Sequence, residues 1–491
     1  MTVRTRYAPS PTGYLHVGGL RTALYNYLFA RQHDGRCILR IEDTDQSRKV
    51  EGAVENLIEI FDWLRLHFDE GPHRSGPVAP YVQSQRLPTY NEHVKLLAAA
   101  AHVYPCFCSS ERLEEMRKGQ AARGAVPMYD RRCRSIPKSE SDRRIAAGEP
   151  RVWRMAVPDN ETVVIHDLVR GDVSFESSTI DDQVLVKSDG FPTYHLANVV
   201  DDHLMDISHV IRGEEWLPST PKHVLLYRFF GWTSPQFAHL PLLLNPDRSK
   251  MSKRSGDVAV EDYRRKGILP DALINFVALL GWHPVDDREI FSLDDLIREF
   301  SLERVQKGGA VFDMAKLRWM NVEYIKAMSG GALLENLRPY VREWIAEYGD
   351  RRVQYAVDML RAGAESFEQI AERVREVFGP RPAADPGTMT ILDDESARAV
   401  VADFAQKMAE LPLNDWEDFP KLEELFKENA TEAGQAHGRK GKTLWQPLRA
   451  ALMRQPHGPE LAKVMGIWGR ERVLIELRHS LEMAKQSVSE E

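Results

Sequence analysis

A strand signal, a proline-enforced turn, a helical run and a second strand signal follow one another within the first 45 residues, and this order leaves few folds open. Thr2 to Ala8 reads as a short strand, and Pro9-Ser-Pro-Thr-Gly13 ends it, because proline lacks an N–H donor and fixes φ. Leu20, Leu24, Tyr27 and Leu28 then recur at helical spacing. Cys37-Ile-Leu-Arg-Ile41 reads as a second strand that runs into Glu42-Asp-Thr-Asp45, and Val54 to Leu66 as an amphipathic helix. Strands alternating with helices predict an α/β domain built on a parallel, doubly wound sheet.

Further along, the pattern changes twice. Residues 105 to 190 carry a cysteine pair, a charged helical stretch (Ser110 to Gly119) and strand-like runs at Val152–Val157 and Thr162–Ile165, which reads as an insertion. The α/β signal returns near Tyr194 and lasts through Trp232; from Ile268 onward the chain is helical and polar with no β pattern of any length. Ser329-Gly-Gly331 and Gly379-Pro-Arg-Pro382 read as linkers. A chain of 491 residues implies about three or four domains.

Composition narrows the class. The longest apolar run, Ala272 to Trp282, is broken by Asn275 and falls well short of the roughly 20 residues of a membrane span. Met1 to Arg6 has no apolar signal segment. Four cysteines cannot staple so long a chain, which points to a reducing, cytoplasmic setting. A net charge of -8 excludes a uniformly cationic coat but leaves room for local basic clusters such as Arg131-Arg132-Cys-Arg134, Arg264-Arg-Lys266 and Arg439-Lys-Gly-Lys442. Each could meet nucleic-acid phosphate, although such a cluster alone is more often a solvated face.

Two stretches carry chemistry. Ala8 to Gly19 places His16, Gly18 and Gly19 between a strand and a helix, where unpaired N–H groups and the helix dipole attract phosphate, the two glycines let a ligand approach the backbone closely, and a histidine can stabilise a phosphoryl oxygen. Taken alone, this is more often a glycine-rich helix start with a surface histidine. Ser249-Lys250-Met-Ser252-Lys253-Arg254 sets lysines in a serine-rich loop, a solvated face in most chains but also a means of bringing ammonium groups to a leaving pyrophosphate.

Together, His16-Val-Gly-Gly19 and Lys250-Met-Ser-Lys-Arg254 resemble the HIGH and KMSKS signatures of class I aminoacyl-tRNA synthetases. Arg40-Ile-Glu-Asp-Thr-Asp45, Asp189 to His203 and Val210-Ile-Arg-Gly-Glu-Glu-Trp216 narrow the resemblance to bacterial glutamyl-tRNA synthetases, over nearly the whole chain. The resemblance implies a Rossmann-like catalytic domain in two halves (1–107 and 193–250), an inserted α+β domain for the tRNA acceptor end (108–192), a stem-contact region with the lysine loop (251–328) and an all-α anticodon-binding region (329–491).

It further implies a monomeric enzyme that uses ATP with Mg²⁺ to join L-glutamate to tRNA-Glu. His16, Gly18, Gly19, Lys250 and Lys253 would be catalytic, and Pro9, Ser10, Leu242 and Leu243 would join His16, Gly19 and Lys253 around ATP. Glutamate, with one ammonium and two carboxylates, needs an anion and fixed guanidiniums. The resemblance supplies Glu42 and Ser10 for the amino end, Tyr194 and Asn198 as walls, and Arg212 with Arg6 for the γ-carboxylate. Cys106, Cys108 and Cys133 are either three free cysteines or a zinc site, in which Ser135 stands where relatives carry a histidine and Tyr129 is the alternative fourth ligand. Gly363 aligns where tRNA-Gln-excluding members carry an arginine, with Arg361 close by, which leaves a non-discriminating enzyme that also charges tRNA-Gln as the alternative reading. The competing readings are a glutaminyl enzyme, a short paralogue acting on a modified tRNA base, and a non-catalytic tRNA-binding paralogue.

Overall fold

The computed structural model describes residues 2–251, 259–381 and 383–490, with side chains described as far as residue 485. The chain divides into two compact units, Met1–Met320 and Asn321–Glu491.

In the first unit, β1 (Arg4–Tyr7) runs into α1 (Val17–Gln32), and β2 (Arg36–Leu39) returns parallel to β1 with Arg6 beside Ile38. Both strands are shorter than periodicity suggested. Pairing nevertheless continues past them as extended chain: Arg40 donates from its backbone to Tyr7 (3.0 Å) and Glu42 to Pro9 (2.9 Å). Pro9 and Pro11 have no donor to return, so the ladder ends there. Next come α2 (Ala53–Trp63), α3 (Leu87–Ala99), β3 (Val103–Cys106), α4 (Ser110–Ala122) and α5 (Lys138–Ala146). They are followed by β4 (Val152–Met155), β5 (Thr162–Asp167), β6 (Gly171–Glu176) and β7 (Val184–Val186).

Then α6 (Tyr194–Leu204), β8 (His209–Gly213), α7 (Thr220–Phe230) and β9 (Gln236–Leu240) restore the parallel α/β pattern. β3, β4 and β7 form an antiparallel sheet, while β5 and β6 join β9 and β8 in the order β6-β5-β9-β8. The strand signal at Thr162–Ile165 therefore belongs to a hairpin that pairs with β9 at Asp167 and Phe237. β8 lies beside β1, where the Ser208 backbone donates to Arg4 (2.9 Å) and the Arg4 backbone to the Ser208 hydroxyl (2.8 Å). Leu196, Val199 and Val200 of α6 pack with Leu225 and Leu226 of α7 in the core beneath the sheet.

The unit closes with β10 (Leu243–Leu244), α8 (Val260–Arg265), α9 (Pro270–Ala278), α10 (Leu293–Glu299) and β11 (Ala310–Val311). β11 corrects the expectation of no strand after Ile268: two residues pair in parallel with β10, too short a run to leave a periodic trace.

After α11 (Met314–Ala327), the second unit is helical: α12 (Gly330–Leu360), α13 (Phe367–Phe378), α14 (Pro386–Met389), α15 (Glu395–Glu410), α16 (Leu413–Glu417), α17 (Phe419–Ala436), α18 (Lys442–Met453) and α19 (Leu461–Glu490). Ser329–Gly331 is not a linker. The Ser329 hydroxyl caps α12 by accepting from the Ala332 backbone, and both glycines sit in the first turn. Gly349 and Gly469 take left-handed φ of 79° and 76° and kink α12 and α19. Among the described residues no helix is long and apolar enough to cross a membrane.

Phe404 on α15 is fully buried and meets Phe426 of α17 edge-on at 5.4 Å. Phe404→Ala is expected to cost this unit about 3–5 kcal/mol, read as a lower thermal unfolding midpoint.

Candidate active site

The carboxyl ends of β1, β2 and β8 open onto one cavity of about 1000 Å³. Open α/β sheets bind ligands at this edge, because loops leave the strands there in opposite directions. Its walls divide into an amino-acid-sized end and a longer end lined by the turn before α1.

At the small end, Arg6 closes β1, Glu42 follows β2 and Arg212 lies on β8, with Tyr194 and Asn198 entering from α6. Arg40 is wholly buried and donates to Asp202 (2.7 Å) and Glu42 (2.9 Å), while Arg6 donates to Asp202 (3.0 Å). Burial would lower the Arg40 pKa, but Asp202, Glu42 and Asp201 hold it well above its ordinary value. Burial likewise works against the Asp202 carboxylate, and Arg6 and Arg40 still keep its pKa below the usual range. Arg86 donates to Asp201 at 2.7 Å. Three guanidiniums (Arg6, Arg40, Arg86) thus face three carboxylates (Glu42, Asp201, Asp202), and this group is neutral.

Glu42 also accepts from Asn198 (3.2 Å), and burial pushes its carboxyl pKa up despite Arg40 and Arg6. A ligand ammonium beside it would oppose that upward push and favour the carboxylate. Arg212 differs from the other three arginines. It is 5% exposed, and its partners are neutral: Tyr194 Oη (2.7 Å), Thr220 Oγ1 (2.8 Å), His239 Nε2 (3.1 Å) and His223 Nδ1 (3.4 Å). Among the described residues no carboxylate pairs with it. A buried guanidinium without a counter-charge is costly and favours an incoming anion.

The longer end is built by the turn at Pro9 and Ser10, the start of α1, and Leu242, Leu243 and Lys250. His16 caps α1: its Nδ1 accepts from the Gly19 backbone N–H (3.0 Å). The ring proton of neutral His16 then sits on Nε2, a donor suited to a phosphoryl oxygen. The expectation that Gly18 and Gly19 open the backbone to a ligand takes a different form here. A Cβ on Gly19 would lie 2.7 Å from Tyr7 Oη and 3.0 Å from Leu15 Cδ1, and one on Gly18 would crowd the His16 ring at 3.2 Å. These glycines let α1 settle on β1 and let His16 fold back as the cap. Leu242 is fixed by its N–H to Glu214 (2.9 Å), and Glu214 pairs with Arg170. Lys250 is exposed on the hairpin that pairs with Leu244. Ser252, Lys253 and Arg254 lie outside the described residues.

A second cluster is separate from the cavity. The sulfurs of Cys106, Cys108 and Cys133 lie within 4.8 Å of one another, and Tyr129 Oη is 3.3 Å from Cys106 and 3.4 Å from Cys108. Hydrogen bonding from Cys133 brings the Cys106 thiol pKa well below its usual range. Ser135 turns away to the Arg132 carbonyl (3.1 Å), so Tyr129 is the fourth donor facing the three sulfurs. The three sulfurs supply three of the four ligands that a structural zinc takes, and the Tyr129 hydroxyl stands at the fourth side.

Comparison with known proteins now decides the family. Residues 2–319 match the family of tRNA synthetases class I (E and Q), catalytic domain, and residues 332–481 match an anticodon binding domain. The glutamate–tRNA ligase of Alkaliphilus metalliredigens is 46% identical, covering 96% of this chain and 97% of the relative. That of Chlorobium luteolum is 47% identical, covering 98% and 97%. The chain belongs to the glutamate–tRNA ligases. A crystal structure of a glutamate–tRNA ligase from Elizabethkingia meningosepticum in complex with its amino acid superposes with a TM-score of 0.89 at 36% identity, covering 99% of this chain and 100% of that one.

Within this ligase fold, every expected cavity residue among those described lines the one cavity, while the cysteines lie apart. Sequence reasoning missed the residues that hold others in place: Arg40, Asp201 and Asp202, and beyond them Asp167, His223 and His239. A polar residue within an otherwise apolar strand, as in Phe237-Ala-His239-Leu240, was the available signal. The basic clusters proved largely engaged: Arg131 and Arg134 face Asp159 and Asp182, Arg264 pairs with Glu59, and Arg439 with Asp394.

Gly19→Ala is expected to lower stability by about 1–3 kcal/mol through overpacking, and Tyr7→Phe in the same chain to recover most of it. Thermal unfolding of the two variants checks this.

Proposed function

We propose that the chain activates L-glutamate with ATP and transfers it to the 3′ end of tRNA-Glu, with Arg212 reading the side chain of the amino acid. The observation that carries this is the charge count. The buried arginine–carboxylate group is neutral, and Arg212 adds one positive charge with neutral partners only. Glutamate carries one ammonium and two carboxylates, a net charge of minus one. Its side-chain carboxylate is the counter-charge that Arg212 lacks among its direct partners.

In this reading Glu42 and Ser10 take the α-ammonium, Arg212 the γ-carboxylate with Arg6 beside it, and Tyr194 and Asn198 shape the walls. The α-carboxylate attacks the α-phosphorus of ATP and pyrophosphate leaves, so no protein nucleophile or base is required. His16 and Lys253 steady the phosphates, with Lys250 assisting; Pro9, Ser10, Gly18, Gly19, Leu242 and Leu243 frame the nucleotide, which arrives with Mg²⁺. The ribose hydroxyl of the tRNA then attacks the activated carbonyl. Glutamine would leave the Arg212 charge uncompensated, a penalty of about 3–5 kcal/mol against it.

We assign residues 108–192 to the acceptor end of the tRNA, 251–328 to its stem and 329–491 to the anticodon, leaving 1–107 and 193–250 as the two catalytic halves. Cys106, Cys108, Tyr129 and Cys133 would hold a structural zinc that ties α4 and the loop after it to β3. The enzyme would act as a monomer in the cytoplasm, where protein synthesis consumes its product.

Arg212→Ala is expected to abolish glutamate activation while ATP binding survives. Glutamate-dependent ATP–pyrophosphate exchange, run with tRNA-Glu present, checks this, and normal glutamate kinetics in the variant would remove Arg212 from the site. Charging tRNA-Glu and tRNA-Gln side by side tests the substrate range, because the left-handed Gly363 (φ 66°) has open space where an arginine would stand in members that exclude tRNA-Gln. Purified protein is expected to carry about one equivalent of zinc, lost in Cys133→Ser. Less than about a tenth of an equivalent would return the cluster to free thiols.

A further inference from the structure

Arg212 is held by groups that the reaction does not use. His239 on β9 is fully buried; its Nδ1 is 2.6 Å from Asp167 Oδ2 and its Nε2 is 3.1 Å from Arg212 Nε. Guanidinium nitrogens only donate, so Nε2 must accept and the ring proton must sit on Nδ1, facing Asp167. On the other side, Arg212 Nη1 meets His223 Nδ1 (3.4 Å), and His223 Nε2 meets His195 Nδ1 (3.1 Å). The same argument places the His223 proton on Nε2, donated to His195. Burial supports two neutral rings here, pushing the His223 pKa well below its ordinary value and that of His195 down to about 3.

We propose that Asp167 and His239, with His223 braced by His195, are positioning residues that grip Arg212 through neutral acceptors and so keep its charge for the carboxylate of the substrate. The proposal rests on the assignment of Arg212 to the glutamate side chain. A direct carboxylate partner would orient Arg212 equally well but would neutralise it. Setting Asp167 one imidazole further away gives orientation without neutralisation, because the ring transmits the direction of a hydrogen bond while its own charge stays zero.

Asp167 makes this testable. Its Oδ1 accepts three backbone N–H bonds, from Val169 (3.0 Å), Arg170 (2.8 Å) and His239 (3.2 Å). In Asp167→Asn those three donors hold the amide oxygen where Oδ1 is, so the amide NH₂ must face His239 Nδ1. The ring then accepts at Nδ1 and carries its proton on Nε2, directly against Arg212 Nε–H. An isosteric change two groups away thereby turns an acceptor into a donor.

Steady-state charging of tRNA-Glu with Asp167→Asn is expected to show the glutamate KM raised tenfold or more, with the ATP KM within twofold of wild type. His239→Gln offers Arg212 a side-chain carbonyl that has no tautomer to set. Adding Asp167→Asn to it should change the glutamate KM by less than threefold further. A rise below threefold for Asp167→Asn alone, or the same rise in both backgrounds, would overturn the relay and leave Asp167 a structural residue. The ¹⁵N ring signals of His239 in the wild-type enzyme, assigned by their loss in His239→Gln, need no variant at 167; a protonated Nε2 there also overturns it. Arg212→Ala separates the two readings. If it abolishes activation while Asp167→Asn is normal, only the relay fails. If it leaves glutamate kinetics normal, the assignment of Arg212 itself fails.

Discussion

The active site depends on a guanidinium that never meets solvent. Arg40 follows β2, and its two bonds, to Asp202 on α6 and to Glu42, tie the second strand to the helix that returns over it. Removing one member of a buried ion network costs several kcal/mol, because the remaining charges are left without water or partner. That penalty fixes the position of Glu42 to within a hydrogen bond, and through Asp202 it fixes Arg6 as well. The substrate therefore meets a lattice of charges already oriented before it arrives, and its binding energy is not spent on arranging them.

The site combines two kinds of electrostatics. The Arg6–Arg40–Arg86 group is saturated and serves as a frame. Arg212 is oriented by neutral groups only, which is what the proposed role as the receptor for the substrate carboxylate asks of it. The distinction lies in what each arginine touches: carboxylates in the first case, and hydroxyls with imidazole nitrogens in the second. One residue type thus performs two tasks according to the charge of its neighbours.

Much of this was legible in the sequence, and the parts that were not share a cause. The alternation of strand and helix signals, the position of His16 and the place of Arg6, Glu42 and Arg212 near strand ends follow local patterns, while the family resemblance singled these residues out. The pairing of β5 with β9 could not, since Asp167 and Phe237 are far apart in sequence and their contact leaves no periodicity. The role of Gly19 was legible only in part: a helix-start glycine was expected to admit a ligand, and the atom that needs the space is the Tyr7 hydroxyl. Ser329–Gly331 has the composition of a turn but caps a helix, because serine favours both settings and the residues after it decide between them. The partners of the basic clusters were illegible for a similar reason, as charge counts do not reveal which arginines already face a buried aspartate such as Asp182.

β9 carries His239, which sets the hold on Arg212, and the chain leaves it through Pro241 to Leu242, whose N–H is pinned by Glu214. Arg170 binds both places at once, donating to the His239 carbonyl (3.2 Å) and pairing with Glu214. Three residues of extended chain, about 10 Å, thus separate the residue that holds Arg212 from Leu242 at the longer end of the cavity. In the proposed reading, main-chain length rather than side-chain reach sets the spacing between the two reactants.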